Sequence, residues 1–238
     1  QDDIIDQSKT KHGRPTVYGK YGKEIALLTA DALLFKGFTL LHKACMDIPK
    51  EKAKKIIKII KNMFYELGDA EALELNLRGK IDITPEEYLH IIGKKAADVE
   101  AHTRVAAIIG DASPIYEEKL GEYGRLLGKI IIIRDEIMDA LNQKELKRRI
   151  ENEHLPLPLI YIAAGEKSLF YEILSKRNVT KESLNEIMMK MERQGGLDYA
   201  LSLIKKFLKD AQVMLAEEKL STSELTVFIK AFSLVTSI

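Results

Sequence analysis

After residue 20, apolar positions recur at intervals of three and four, the period of an amphipathic helix. No stretch alternates with the period of two that marks a half-buried strand. The spacing predicts a long, largely buried helix from Glu24 to Met46. A second follows Pro49, from Glu51 to Leu77, with Ile56, Ile57, Ile59, Ile60, Met63, Phe64 and Leu67 as its apolar positions. Thr84-Pro85-Glu86-Glu87 is a helix start: a threonine N-cap, proline at the first position and a glutamate placed to close a capping box. That helix is predicted to reach about Ile109 and to stop at Gly110. Ser113-Pro114 starts another that reaches about Leu141. The charged stretch from Asn142 to Glu153 reads as a loop or irregular helix before Leu155-Pro156-Leu157-Pro158. Helices then continue, broken at Gly165, Asn178 and Gly195-Gly196, and the last opens on the capping box Ser221–Glu224.

No short repeat, low-complexity tract or long linker divides the chain, so the expectation is a single all-α bundle over residues 1–238. Residues 7–21 are the exception. They hold lysines, His12, Arg14, glycines and Pro15 without periodicity. A basic, glycine-containing loop of this kind is suited to hold a phosphate beside a metal.

Composition narrows the function classes. The apolar share of 46% and charged share of 31% are those of a soluble globular protein. A net charge of +1 gives no global field to recruit nucleic acid or an acidic membrane. The basic run Lys147-Arg148-Arg149 reads as helix surface or a phosphate contact. The single cysteine, Cys45, excludes an internal disulfide, suits a reducing cytosol and reads as a small buried apolar residue. The longest apolar run, Ile25 to Leu41, is interrupted by Asp31 and Lys36 and falls short of the roughly 20 residues that span a bilayer. With no signal-peptide pattern, a cytoplasmic protein without an integral membrane segment is expected.

Two acidic clusters of the same shape carry the chemistry. Asp2-Asp3-Ile4-Ile5-Asp6 and Asp135-Glu136-Ile137-Met138-Asp139 both read acid, acid, apolar, apolar, acid. On a helix the first and fifth positions lie one turn apart on one face, with the second about 100° round. Each cluster is expected to point a fan of carboxylates to one side while its apolar pair faces the packing. Facing carboxylates repel unless a cation sits between them, and such hard oxygen donors suit magnesium bound together with phosphates. The first cluster begins at residue 2, where a helix start without preceding turns holds ligands poorly. Upstream helical residues are therefore expected to belong to the same domain.

With Lys11-His12-Gly13-Arg14-Pro15-Thr16 after the first cluster and Tyr123-Gly124-Arg125-Leu126-Leu127-Gly128 before the second, the chain resembles the trans-isoprenyl diphosphate synthase family. The resemblance also takes in Ala30-Asp31-Ala32-Leu33-Leu34, Glu71-Ala72-Leu73-Glu74-Leu75, Lys95 and Leu155 to Tyr161. It implies an isoprenoid-synthase helical bundle around a central cavity, here without the family's N-terminal helices. It further implies a prenyltransferase that ionises an allylic diphosphate with Mg2+ and condenses it with isopentenyl diphosphate, acting as a homodimer. Carried over residue by residue, Asp2, Asp3 and Asp6 would bind one metal pair. Asp135 would hold the remaining magnesium, with Glu136 and Asp139 acting directly or through water. Lys11, His12, Lys95 and Lys147 would contact diphosphate, with Lys11 and Lys95 as the catalytic cations.

The chain departs from the family pattern at several diphosphate donors. His12 stands for an arginine that would bind isopentenyl diphosphate, and a mostly neutral imidazole without a guanidinium fork is a weaker ligand. Ala96 replaces a threonine, Ile131-Ile132 replaces a Phe-Gln pair, Glu71 and Glu74 replace a glutamine and an aspartate, and His154 replaces a lysine. Lys144 competes with Lys147 for the loop position. Two alternatives follow from these departures: a regulatory partner subunit that keeps the fold, and an enzyme of the same fold with a different acceptor.

Overall fold

The computed structural model describes residues 1–11, 13–176, 179–217 and 225–226. The chain forms two units, residues 1–57 and 58–238. The first comprises α1 (Asp2–Ile5), the strands β1 (Thr10–Lys11) and β2 (Arg14–Pro15), α2 (Val17–Tyr21), α3 (Lys23–Met46) and the start of α4 (Lys50–Leu75). The second holds the rest of α4, then α5 (Pro85–Lys95), α6 (Ala97–Ile109), α7 (Pro114–Leu141), α8 (Gln143–Asn152), α9 (Leu157–Ala163), α10 (Lys167–Lys176), α11 (Lys181–Arg193) and α12 (Gly196–Glu217). Among the described residues the architecture is all-α apart from one two-residue ladder, in which Thr10 faces Pro15 and Lys11 faces Arg14.

In the first unit, residues 7–11 and 13–21 are more ordered than their lack of periodicity suggests. Gln7, at φ 55°, turns the chain out of α1, and Gly13, at φ 73°, supplies the left-handed residue of the hairpin. Thr16 caps α2: its hydroxyl accepts from Gly19 N at 2.9 Å and donates to Ser8 O at 2.7 Å. Gly19 lies so close to the Lys9 backbone that any Cβ there would collide with it. The helix Glu24–Met46 expected from the sequence is present as α3, but it is not largely buried. Its apolar residues run round the whole circumference, and Leu28, Leu33, Phe35 and Leu40 are exposed while Ala26 is buried. Cys45 is half-buried, not buried. By length and composition α3 is apolar enough to cross a membrane, which corrects the expectation that no run reaches that length. Asp31 and Lys36 interrupt the apolar run without interrupting the helix.

In the second unit α7 is the central element. Its buried residues Tyr123, Leu127, Ile130, Ile133, Ile137 and Ala140 recur at three- and four-residue spacing. Their neighbours on the opposite side of the core come from α12, where Ala200, Ile204, Leu208, Ala211 and Leu215 form a matching stripe. Burial of each large side chain contributes about 1.5–3 kcal/mol against exposure. The other flank of α7 meets α6 at very short range. Gly124 and Gly128 make this possible: a Cβ on Gly128 would sit 2.7 Å from Ala96 Cβ, and one on Gly124 would collide with Thr103. The short helix α9 is buried nearly all round and packs on α5, α7, α11 and α12.

Two segments differ from expectation. The stretch from Thr84 to Ile109 is two helices, broken at Ala96, whose ψ of 0° departs from helix geometry where it meets Gly128. Thr84 and Glu87 do form the capping box. Asn142 to Glu153 contains a regular helix, because the Asn142 side chain accepts from the Lys144 and Glu145 amides and starts α8. The breaks at Gly165 and Gly195-Gly196 stand, the second with Gly195 at φ 76°. Asn178 and the Ser221–Glu224 start lie outside the described residues.

Candidate functional site

The first acidic motif lies on α1 in the unit of residues 1–57. Asp2 and Asp3 occupy its first turn and Asp6 its C-cap. Neither Ile4 nor Ile5 is buried, so this cluster does not press its apolar pair into a core. Lys11 approaches from β1, its Nζ 3.6 Å from Asp2 Oδ2 and 4.0 Å from Asp3 Oδ1. At these distances, with the Asp2 side chain 60% exposed, the ion pair is loose and exchangeable. Gln1 ties the start of α1 to α3 by donating to Asp31 Oδ1 at 3.2 Å. His12 lies outside the described residues.

The second motif lies near the C-terminal end of α7, in the unit of residues 58–238, and its acids have different surroundings. The Asp135 side chain is 58% exposed and accepts from Arg134 Nη2 at 2.7 Å. Glu136, at 5% exposure, points inward beside Ile133, Ile137 and Ala140. Met138 is exposed instead, so the expected arrangement with Ile137 and Met138 both in the packing is corrected. The helical period explains it: positions 133, 136, 137 and 140 share the face of α7 that meets the core. Both Glu136 oxygens are engaged. Oε1 accepts from Arg149 Nη2 at 2.9 Å, and Oε2 accepts from the Leu157 amide at 2.9 Å.

Arg149 lies inside the second unit and not on its surface. Expected on a helix surface or at a phosphate, it is 6% exposed. Besides Glu136, its Nη1 donates to Asp139 Oδ2 at 3.0 Å, and Nη2 lies 3.0 Å from His154 Nε2. Its Nε is 3.0 Å from Glu153 Oε2, an ion-pair distance without hydrogen-bond alignment. Because arginine only donates, His154 Nε2 is an acceptor, and it also lies 2.7 Å from the Tyr88 hydroxyl. Burial and the adjacent Arg149 charge push His154 down to about 3, so the ring is neutral. Burial opposes ionisation of Glu136, yet the Arg149 charge and the Leu157 amide hold it below its usual range. Asp139 moves the other way, raised by burial against the pull of Arg149.

Lys95, in the last turn of α5, faces two acids of α4. Its Nζ is 2.6 Å from Glu74 Oε2 and 3.3 Å from Glu71 Oε1. Lys95 is raised above the usual lysine range because these carboxylates outweigh its burial. Glu74 is pushed up to about 7 by burial, in spite of Lys95. The lysine is thus a permanent cation facing a carboxylate that ionises weakly. Lys147 is further out on α8, 3.6 Å from Glu151 one turn on.

Among the described residues no three His, Cys, Asp or Glu side chains are gathered into a metal-binding group. The donor chemistry still suits a hard cation at Asp2, which is exposed, and Asp3, which is half-buried, both in the first turn of α1. At the second motif the fit is narrower, since only Asp135 presents an exposed carboxylate.

The polyprenyl synthetase family model matches residues 1–191, and the chain belongs to that family. It is similar to the geranylgeranyl diphosphate synthase of Sulfolobus acidocaldarius, 30% identical over 222 residues, covering 88% of this chain and 66% of the relative. Similarity to the geranylgeranyl diphosphate synthase of Methanosarcina mazei is 27% over 215 residues, covering 89% and 66%. The crystal structure of geranylgeranyl pyrophosphate synthetase from Pyrococcus horikoshii superposes with a TM-score of 0.82 at 26% identity, covering 99% of this chain and 73% of that one. The chain thus spans just under two thirds of the length of these curated relatives.

Proposed function

We propose that this chain is part of a magnesium-dependent prenyltransferase that takes an allylic diphosphate as donor and isopentenyl diphosphate as acceptor, yielding a longer trans-isoprenyl diphosphate. The observation that carries the reading is retention of both acidic motifs, each with an exposed aspartate, in a chain whose family match covers residues 1–191. Asp2, Asp3, Asp6 and Asp135 supply carboxylate oxygens for magnesium. When bound, the metal neutralises diphosphate charge and improves it as a leaving group.

Lys11 and Lys95 supply the cationic donors. Lys11 is already loosely held by Asp2 and Asp3, so an incoming diphosphate exchanges one weak pair for a charge-assisted contact. Lys95 keeps its charge, and protonation of Glu74 near neutrality frees that charge for an anionic ligand. The assembly is proposed as a homodimer, a reading that the exposed apolar residues of α3 support.

Product analysis with magnesium, isopentenyl diphosphate and each allylic diphosphate tests the reading. Chain-extended diphosphates are expected. Diphosphate release without extension would instead favour another acceptor, the alternative that the departures at His12 and His154 raise.

A further inference from the structure

We infer that Arg149 is the resident cation of the second acidic motif: it holds Glu136 and Asp139 in an internal ion-pair cluster and leaves Asp135 as the carboxylate that this motif offers to a metal. This inference rests on the metal–diphosphate reading above and narrows its ligand set.

The geometry supports it from three sides. First, Glu136 has no oxygen to spare. Oε1 is taken by Arg149 and Oε2 by the Leu157 amide, both at 2.9 Å. Leu157 is the first residue of α9 and Pro158 follows, so the first-turn N–H of Leu157 is one of few donors at that helix end and requires a buried acceptor. Glu136 therefore acts as a cap for α9. Second, Asp139 shares the same guanidinium at 3.0 Å, and Glu153 lies 3.0 Å from its Nε. A metal that drew Glu136 away would strip a buried arginine of its most deeply buried hydrogen-bonded counter-charge, which is strongly unfavourable, and one Asp139 oxygen is already committed to the same guanidinium. Third, Arg149 itself cannot serve as a phosphate ligand, being 6% exposed and surrounded by Glu136, Asp139, Glu153, His154 and Tyr88. Asp135 differs in each respect: it is exposed, and its partner Arg134 is at the surface of the same helix.

Manganese in the presence of inorganic pyrophosphate is the probe, with free Mn2+ followed by electron paramagnetic resonance. Glu136→Gln is expected to keep the Mn2+ affinity within about twofold of the unchanged protein, and Asp135→Asn to weaken it tenfold or more. Equal weakening in the two variants, or no effect of Asp135→Asn, would overturn the inference alone. Should Glu136→Gln fail to fold, a structure of the unchanged protein with Mn2+ and pyrophosphate decides. A manganese ion at about 2 Å from a Glu136 oxygen, a ligand distance for a small hard cation, contradicts the inference. Retention of the Glu136–Arg149 pair with manganese at Asp135 supports it. Absence of any Mn2+–pyrophosphate binding by the unchanged protein would overturn the metal–diphosphate reading itself.

Discussion

Glu136 Oε2 accepts the Leu157 amide at 2.9 Å, so an acid of the second motif fixes the N-terminal end of α9 while Arg149 holds its other oxygen. The pair makes the motif partly a folding device. Arg149→Met leaves Glu136 buried without its counter-charge and is expected to cost about 3–5 kcal/mol. Arg149→Met combined with Glu136→Gln should recover part of that loss. Urea unfolding of the two variants checks it, and a single variant within about 0.5 kcal/mol of the unchanged protein would contradict the structural role.

Glu74 sets a pH dependence of stability. Its folded pKa of about 7 lies above the ordinary 4.5, so the native state binds the proton more tightly than the unfolded chain does. The stability it contributes is present below about pH 4.5 and is lost as the pH rises through about 7. The full extent is on the order of 3 kcal/mol. Denaturant unfolding at several pH values should show this decline in the unchanged protein and a flatter profile in Glu74→Gln. Parallel profiles would contradict it.

The close approach of α6 to α7 predicts opposite outcomes for two glycine changes. Gly128→Ala drives a methyl against Ala96 and is expected to destabilise by about 1–3 kcal/mol. Gly68→Ala, in α4 with open space around it, should stabilise by up to about 1 kcal/mol through helix propensity. Thermal unfolding of both variants separates packing from propensity.

Much of the fold was legible in the residues. Thr84 with Glu87, Ser113 with Pro114, and Gly195 gave helix ends because their signals are local. Ala96 gave none, since alanine favours helix and the break comes from contact with Gly128. The apolar surplus of α3 does not translate into burial, because an all-round apolar helix tells nothing about which sides are covered. At the candidate site the acidic residues were found but not their directions. One signal was available: Leu146, Arg149 and Ile150 fall on one helical face, which places the arginine among buried residues. The partners of that arginine come from α7 and from residues 153 and 154, and no spacing along the chain announces them.

Lys95 separates binding from charge. Lys95→Met is expected to lower kcat/KM for the allylic diphosphate by tenfold or more, with the helical content unchanged. Lys147→Met, at an exposed pair with Glu151, should have an effect within about threefold, since surface ion pairs contribute at most about 1 kcal/mol. Steady-state kinetics on both variants checks this, and equal effects would remove Lys95 from its proposed role.

The most direct measurement is magnesium-dependent incorporation of labelled isopentenyl diphosphate into product by the unchanged protein, Asp2→Ala and Asp135→Ala. The account predicts chain-extended product from the first and none from the two variants, all three with matching thermal unfolding. Extension by either variant at near the unchanged rate would contradict the assignment of the acidic motifs to the metal–diphosphate chemistry.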